Sequence, residues 1–387
     1  MSTSVSSNGR FIEHHLDDSD QSPIVATVAP LLRDVALKDV ANIVAHFADA
    51  TTDFAIYTGI AGAAIAALAI GDRQSARKLS KRAVKLARTE LASPKARLTL
   101  IEGVAGAFVV GLMTAKHADE LAECRQLLLD VWHTRKQDFT CYELLYGIGG
   151  YLAALIVAAE LLPGDAEVNA LITTVSAALL AGSASDDDCL RFTWHSKMYL
   201  GYAHGVSGIA NVLLLAGVAS PKIDATVGRL DELAKLQNGQ MPSSNLKPSP
   251  RTELVQWCHG APGFVALFLN AARADALTLC LDDVWARGLL TKGVGICHGA
   301  SGAGMCFLAH FRATGDRKSL RRACHIAHEC LTSRILRDGT MQGDDPYSLL
   351  NGWGARALFF AELSAELDGS TPALPRSLLH TLGLQAK

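Results

Sequence analysis

Aromatic residues, charged residues and net charge are all scarce in this chain of 387 residues. Phe, Trp and Tyr together make up 6% of the residues and Asp, Glu, Lys and Arg 19%, while the net charge is only -2. The low aromatic content argues against a β-sandwich, which favours aromatic and β-branched residues. The near-neutral net charge does not indicate binding to nucleic acid or to an anionic membrane surface, since both usually require a basic protein surface.

A membrane-spanning segment is not expected either. Residues 54–70 contain 17 uncharged and mostly apolar residues, which is the short limit for crossing a bilayer. A similar Gly- and Ala-rich block recurs at residues 147–162, and this recurrence favours repeated buried helices. The polar residues 1–22 do not resemble a signal peptide. The nine irregularly spaced cysteines favour reduced thiols. We therefore expect a cytoplasmic protein.

What the chain does contain is an internal repeat, a Gly-x-x-Gly pair followed by an apolar helical segment. Successive copies start 39 to 58 residues apart, which leaves room for two helices per copy. Because glycine has no Cβ, backbones can approach closely where each helix starts. In the last copy Ala355 replaces the second glycine. The first glycines of the seven copies are Gly59, Gly103, Gly147, Gly205, Gly260, Gly299 and Gly352.

Helix pairs repeated in this way predict an all-α architecture. If seven pairs close into a ring, an inner helical barrel lies inside an outer one, and the N-termini of the inner helices direct partial positive charge at a shared cavity. An open solenoid, in which the glycines only aid packing, is the alternative. Residues 1–30 lack helical periodicity and are predicted to form a loose N-terminal arm, whereas residues 31–387 are predicted to form one domain.

Cysteine and histidine occupy equivalent positions in three consecutive copies. The fifth copy opens with Cys258-His259, the sixth opens with Cys297-His298, and His204 stands at the same place in the fourth. In a ring these side chains meet at one end of the barrel, where two thiolates and an imidazole suit Zn²⁺ and leave one tetrahedral position open, as in catalytic sites. The spacing does not decide which histidine binds. Buried structural cysteines are the alternative to a metal site.

Several of these motifs resemble the lanthionine synthetase C-like (LanC-like) family, in order along residues 54–363, and the eukaryotic members more than the bacterial cyclases. The resemblance implies an α/α toroid of seven inner and seven outer helices. It also implies zinc bound by Cys258, Cys297 and His298, with His259 beside the metal. The motifs are YTGIAG at 57–62, ELLYG at 143–147, YLGYAHG at 199–205, WCHGAPG at 257–263, GICHG at 295–299 and PYSL at 346–349.

The resemblance also implies a reaction. Bacterial members add a cysteine thiol of a peptide to dehydroalanine or dehydrobutyrine, whereas the eukaryotic members resemble glutathione transferases that add glutathione to these residues in proteins. Such alkenes arise by loss of phosphate from phosphoserine or phosphothreonine. Zinc deprotonates a bound thiol, and its addition to the alkene gives an enolate that needs a proton. The expected cofactor is therefore zinc, the co-substrate glutathione, and the partners are dehydroamino-acid-containing or phosphorylated proteins.

Further positions receive roles from the same resemblance. His204 is the predicted general acid, since it holds the matching position in the neighbouring copy. Lys292, which lies five residues before the second cysteine of the site, and Arg10 match basic residues that contact glutathione. Lys292 is also suited to stabilising an enolate or a leaving phosphate. Residues 239–244 resemble a loop that borders the pocket. Glu143 stands where bacterial cyclases have a catalytic aspartate.

Two other functions stay open at this point. A regulatory protein that binds zinc and glutathione without turnover would carry the same ligands. A lanthionine-forming peptide cyclase would share the fold, but Glu143 in place of aspartate disfavours that activity. The paired catalytic carboxylates typical of a glycosidase are not evident.

Overall fold

The computed structural model describes residues 4–7, 9–13, 18, 23–48, 51–183, 188–249, 254–343 and 345–386. These residues form sixteen α-helices, and a short 3-10 turn at Ala261–Phe264 precedes the tenth. In chain order the helices are α1 (Ile24–His46), α2 (Ile60–Ala69), α3 (Arg73–Glu90), α4 (Val104–Thr114), α5 (Ala118–Arg135), α6 (Ile148–Leu161), α7 (Ala166–Ala181), α8 (Val206–Leu215), α9 (Pro221–Leu236), α10 (Val265–Asn270), α11 (Ala274–Arg287), α12 (Ala300–Thr314), α13 (Arg317–Thr332), α14 (Arg334–Met341), α15 (Trp353–Asp368) and α16 (Arg376–Thr381).

Seven helices, the even-numbered ones from α2 to α12 together with α15, form a closed inner ring. Each contacts the next, and α15 contacts α2. The odd-numbered helices from α1 to α13 form the outer ring, and α1 packs against α15. The predicted toroid of seven inner and seven outer helices is therefore confirmed. Among the described helices, none is both long and apolar enough to cross a bilayer.

The second glycine of a copy permits close approach between the start of an inner helix and the loop before it. A Cβ built on Gly106 would lie 1.9 Å from the carbonyl oxygen of Leu100, and one on Gly150 would lie 2.0 Å from that of Leu144. Both distances are far shorter than van der Waals contact, so a side chain at either position would push the loop away. The repeat seen in the sequence thus reflects a steric requirement.

The loops that precede the inner helices are joined by backbone hydrogen bonds, and we call this end of the barrel the loop collar. The collar places equivalent residues of different copies side by side. The N–H of Ile56 donates to the carbonyl oxygen of Ile101, that of Leu100 to Gly150 and that of Leu144 to Ala203. The N–H of Cys258 donates to Cys297, that of Ile296 to Leu350 and that of Leu350 to Tyr57, and all six bonds are 2.8 to 3.5 Å long.

Several of the described N-terminal residues form a short β-hairpin. Ser4–Val5 (β1) and Ile12–Glu13 (β2) pair as antiparallel strands. The hairpin continues into the body of the protein, because the N–H of Ile12 donates to the carbonyl oxygen of Leu289 at 2.8 Å and that of Thr291 donates to Arg10 at 3.0 Å. Residues that are far apart in the sequence are thereby held together at the edge of the barrel.

Helix α1 begins at Ile24 rather than at residue 31, where the predicted domain starts. Its apolar side chains at Ile24, Val28 and Leu32 recur every four residues and are buried, so this face already belongs to the core. Asp18 lies outside the helix and is joined to Arg322 of α13 at 3.0 Å. The division of the chain into an arm and one domain remains a prediction.

The C-terminal segment, which includes α16, fills the barrel beneath the collar. Near the far end of α6 the carboxylate of Glu160 accepts the N–H groups of Arg376 and Ser377 at 3.2 and 2.7 Å. Helix α16 then packs against α6 and α8. Farther along, the indole of Trp257 donates to the carbonyl oxygen of Leu382 at 2.8 Å. The segment thus runs from the far end of the barrel to the underside of the loop collar.

Candidate functional site

Cys258, Cys297 and His298 come together at the loop collar, and their ligand atoms all lie within 4.8 Å of one another. The collar positions them, since the N–H of Cys258 donates to the carbonyl oxygen of Cys297 at 3.5 Å and that of Cys297 donates to Leu350 at 2.9 Å. Within the described part of the chain, this is the one group of three or more Cys, His, Asp or Glu side chains arranged to hold a metal ion.

The geometry and chemistry of the three side chains fit zinc. Bonds of about 2.3 Å to sulfur and about 2.0–2.1 Å to nitrogen put the donors of a tetrahedral site roughly 3.6–3.8 Å apart. The observed limit of 4.8 Å therefore requires a contraction of at most about 1 Å. Two thiolates and one imidazole are a donor set that suits zinc and leaves a fourth position open. That these residues are ligands remains a prediction.

An interaction between the two cysteine side chains lowers the pKa of one and raises the pKa of the other. Donation from the Cys258 thiol, with help from His298, holds the pKa of Cys297 well below its usual range. The same hydrogen bond, together with burial, raises the pKa of Cys258 well above its usual range. Lys292 acts in the opposite direction on Cys258, since its positive charge lowers that pKa. The pair is thus suited to releasing a proton when a cation binds.

His259 lies apart from this group of ligand atoms. Its ring centroid is 5.5 Å from that of Tyr199 and 6.0 Å from that of His204. Burial, and then the charge of His204, lowers the pKa of His259 to about 4, so the imidazole is neutral near pH 7. The fold therefore brings His298, and not His259, to the two cysteines, a choice that sequence spacing alone left open.

His204 is held in place by a buried carboxylate. Its Nδ1 lies 2.8 Å from Oε2 of Glu143, whose side chain is 2% exposed. The same carboxylate accepts the backbone N–H groups of Leu145 at 3.0 Å and Tyr146 at 2.5 Å. These bonds fix the carboxylate, and the carboxylate fixes the imidazole of His204. The other ring nitrogen, Nε2, is directed away from Glu143.

Aromatic side chains surround the His204 ring. Trp194 stacks on it with a centroid distance of 4.3 Å and an interplanar angle of 15°. The rings of Tyr146 and Tyr199 lie 6.1 Å away. Trp194 is positioned by a tight hairpin, in which its backbone pairs with that of Lys197 at 2.9 and 3.0 Å. The imidazole therefore has restricted access to solvent and one defined orientation.

A backbone hydrogen bond joins the two chain segments that carry the cations predicted to bind glutathione. Thr291, the residue before Lys292, donates its N–H to the carbonyl oxygen of Arg10 at 3.0 Å. The side chains of Arg10 and Lys292 are both exposed, and the charge of Lys292 reaches Cys258. The hairpin thus brings the backbone of Arg10, from a distant part of the sequence, next to the residue that precedes Lys292.

The loop at residues 239–244 lies against the segment that leads to His204. The N–H of Leu200 donates to the carbonyl oxygen of Ser243 at 3.0 Å, and Tyr199 forms a β-bridge with Ser244. This contact agrees with its predicted place beside the pocket.

Three contacts at this site were not identified from the sequence. The sequence places Glu143 where bacterial cyclases have a catalytic aspartate, four residues before the third copy's first glycine, but indicates no partner for it. No spacing pattern indicated that Trp194 would stack on His204. The sequence shows Tyr57 only within a family-like motif, although its hydroxyl donates to Oδ1 of Asn351 at 3.1 Å and helps to lower the pKa of Cys297.

The chain is similar to known proteins along most of its length. A family model described as "Lanthionine synthetase C-like protein" matches residues 50–374. The chain is 30% identical over 338 residues to "Glutathione S-transferase LANCL1" of Danio rerio, which covers 79% of this chain and 81% of that protein. It is 29% identical over 250 residues to "LanC-like protein GCL1" of Arabidopsis thaliana, with 60% and 57% covered.

Among solved structures, nisin cyclase has a similar backbone. The TM-score is 0.67, with 90% of this chain and 96% of that chain covered, at 14% sequence identity. At so low an identity the likeness concerns the fold alone, and it supports the toroid described above.

Proposed function

This chain belongs to the lanthionine synthetase C-like family, and on that premise we propose that it is a zinc-dependent enzyme that adds the thiol of glutathione to dehydroalanine or dehydrobutyrine residues in proteins or peptides. The observation that carries the proposal is the convergence of the Cys258, Cys297 and His298 donor atoms within 4.8 Å. The name of the Danio rerio relative, a glutathione S-transferase, supports glutathione as the thiol.

In this proposal Cys258, Cys297 and His298 hold the metal ion. Zinc, when bound there, would keep the thiol of glutathione deprotonated at neutral pH and in a fixed place. Lys292 and Arg10 bind the carboxylates of glutathione by charge-assisted hydrogen bonds, which orients the tripeptide with its sulfur toward the collar. Exposed cations of this kind contribute more to orientation and capture than to affinity.

His204 supplies the proton that completes the addition. The sulfur of glutathione bonds to Cβ of the alkene, the π electrons move toward the carbonyl group, and Nε2 of His204 delivers a proton to Cα. The proton that glutathione lost on binding replaces it, so that atoms and charge balance. Glu143 holds the imidazole through Nδ1 at 2.8 Å and stabilises its protonated form. Trp194 keeps the ring in that orientation by stacking.

The proposal extends to phosphorylated substrates. Loss of the Cα proton and of phosphate, which together leave as hydrogen phosphate, turns phosphoserine or phosphothreonine into the alkene that glutathione then attacks, and Lys292 is suited to stabilising the departing phosphate. We also propose a cytoplasmic location, which agrees with nine cysteines that are all free of disulfide bonds.

Incubation of the zinc-loaded protein with glutathione and a dehydroalanine peptide tests the proposal. The peptide should gain the mass of one glutathione, and Cys297→Ala should abolish the gain. Cys324→Ala, a change at another buried free cysteine on the outer helix α13, is the matched control and should retain activity. No mass gain with zinc present would overturn the proposal. Glutathione binding without product would favour the regulatory alternative, and ring formation in a cysteine-containing peptide would favour a cyclase.

A further inference from the structure

The N-terminal hairpin, formed by β1 and β2, lies against the chain segment that leads to Lys292. The N–H of Ile12 donates to the carbonyl oxygen of Leu289 at 2.8 Å, and the N–H of Thr291 donates to that of Arg10 at 3.0 Å. A ladder of two backbone bonds between such short strands is only marginally stable by itself. The position of the hairpin therefore depends on further contacts.

Asp18 provides such a contact, because it binds two cations of helix α13. Nη2 of Arg322 donates to Oδ2 of Asp18 at 3.0 Å, and Nε lies 3.3 Å from both carboxylate oxygens. Nζ of Lys318 lies 3.0 Å from Oδ2. Asp18 follows the end of the hairpin at Glu13 by five residues, which span at most about 18 Å. The contact therefore keeps the hairpin near the segment against which it lies.

Arg322 is held rigidly in the body of the protein. Its side chain is only 9% exposed, and its guanidinium carbon lies 4.9 Å from the ring centre of Trp285 and 5.5 Å from that of Phe307. Within the described part of the chain, its other carboxylate partner is Asp282 at 3.3 Å, whose side chain is 61% exposed. A guanidinium fixed in this way loses little freedom when it binds Asp18. Because Trp285 belongs to α11, the anchor also lies close to the segment that follows this helix.

We propose that Asp18 is a positioning residue for glutathione, because its ion pair with Arg322 keeps the hairpin docked. In the proposed function, on which this inference rests, Arg10 on the hairpin and Lys292 on the barrel both bind the tripeptide. Full affinity then requires the docked hairpin, and the measured affinity falls with the fraction of molecules in that form. By the same coupling, bound glutathione holds the hairpin in place.

Glutathione binding by the zinc-loaded full chain tests this inference. Asp18→Asn keeps the shape of the side chain but removes its charge, and should raise the Kd for glutathione by about two- to fivefold in calorimetry. The kcat at saturating glutathione should not change, because Asp18, Arg322 and Lys318 are assigned neither to the metal nor to proton transfer. Deuterium uptake by residues 9–13 should be faster in the variant, and glutathione should slow it in the wild type.

A double variant separates positioning from a general loss of stability. If Asp18 acts only through Arg10, adding Asp18→Asn to Arg10→Ala should not weaken glutathione binding beyond Arg10→Ala alone. Increases in Kd that multiply in the double variant would overturn the inference.

Asp39→Asn is the matched control for Asp18→Asn. Asp39 also pairs with a largely buried arginine, Arg356, at 2.8 Å, and that guanidinium likewise lies over a tryptophan ring, 4.2 Å from the centre of Trp353. This pair joins α1 to α15 and does not contact the hairpin. Its loss should lower the free energy of unfolding but leave the Kd for glutathione and the deuterium uptake of residues 9–13 at their wild-type values.

A second variant keeps the inference testable if Asp18→Asn fails to fold. The side chain of Ile12 is fully buried and holds the hairpin at its other contact, so Ile12→Ala should raise the Kd for glutathione and the deuterium uptake in the same way. Wild-type affinity in both Asp18→Asn and Ile12→Ala would overturn the inference, while the glutathione assay of the wild type decides the proposed function. A wild type that does not bind glutathione would overturn both.

Discussion

Replacing Glu143 with glutamine tests whether the buried carboxylate acts through His204. Both carboxylate oxygens accept hydrogen bonds, Oε2 from His204 and the Leu145 N–H, and Oε1 from the Tyr146 N–H. Glutamine keeps the shape but turns one oxygen into an NH₂ donor. In either orientation that donor faces a backbone N–H. The protonated form of His204 also loses its countercharge.

Two magnitudes follow from this geometry. A hydrogen bond to a charged group contributes about 1.5–3 kcal/mol, so losing the charge of Glu143 should slow turnover by roughly 10- to 150-fold. A buried N–H left facing another donor costs about 1–3 kcal/mol of the free energy of unfolding. The KM for glutathione should not change, because neither Glu143 nor His204 is assigned to binding the tripeptide.

The assay combines steady-state kinetics of glutathione addition with urea unfolding of the same preparations. Glu362→Gln is the matched control. Glu362, on helix α15, is also a buried carboxylate, since its side chain is 1% exposed, and it pairs with Arg312 at 2.9 Å. That change should also destabilise the fold, yet leave kcat at the wild-type value. Comparing the two variants separates a loss of stability from a loss of proton transfer.

Either of two results would refute the reasoning. The first is a Glu143→Gln enzyme with the kcat of the wild type. The second is a double variant, Glu143→Gln with His204→Ala, in which the activation free-energy losses of the two single variants add. If the carboxylate acts only through the imidazole, the double variant should be no slower than His204→Ala alone.

Three further predictions concern the metal, the thiol substrate and the C-terminal segment. Cys297→Ala should reduce bound zinc from one per chain to near zero, whereas His259→Gln should retain it, as measured by metal analysis; equal zinc contents would contradict the ligand assignment. Lys292→Ala should weaken glutathione binding by about two- to fivefold in calorimetry, and unchanged affinity would remove Lys292 from the binding site. Trp257→Phe should lower the free energy of unfolding by about 1 kcal/mol, because the bond to Leu382 is lost; identical urea curves would contradict this.

The toroid could be predicted because its construction repeats in the sequence. Each glycine pair marks a place where a helix start meets the loop before it, and at Gly106 and Gly150 the space for a Cβ is occupied by a carbonyl oxygen. A ring of such units necessarily aligns equivalent positions. That alignment is why the Cys-His pairs of the fifth and sixth copies could be expected to meet.

The partners of the site residues could not be predicted in the same way. Glu143 and His204 are 61 residues apart, and Tyr57 and Asn351 are 294 residues apart. Each pair belongs to different copies, and the side-chain directions that join them depend on loop conformations that no periodicity records. The N-terminal hairpin escaped prediction for a related reason. Strands of two residues show no alternation, and their partner near residue 290 lies more than 270 residues away along the chain.

A barrel whose first and last inner helices, α2 and α15, contact each other cannot close until α15 has been synthesised. Tyr57 leaves the ribosome long before Leu350, yet the backbone of Leu350 joins Tyr57 to Cys297. Until α15 emerges, the earlier helices form an open arc whose apolar inner faces lack their neighbours. Such partly assembled states are prone to aggregation, so the nascent arc is the form that most needs a chaperone. The contact between the predicted ligand Cys297 and Leu350 also forms only then, because the N–H of Cys297 donates to the carbonyl oxygen of Leu350.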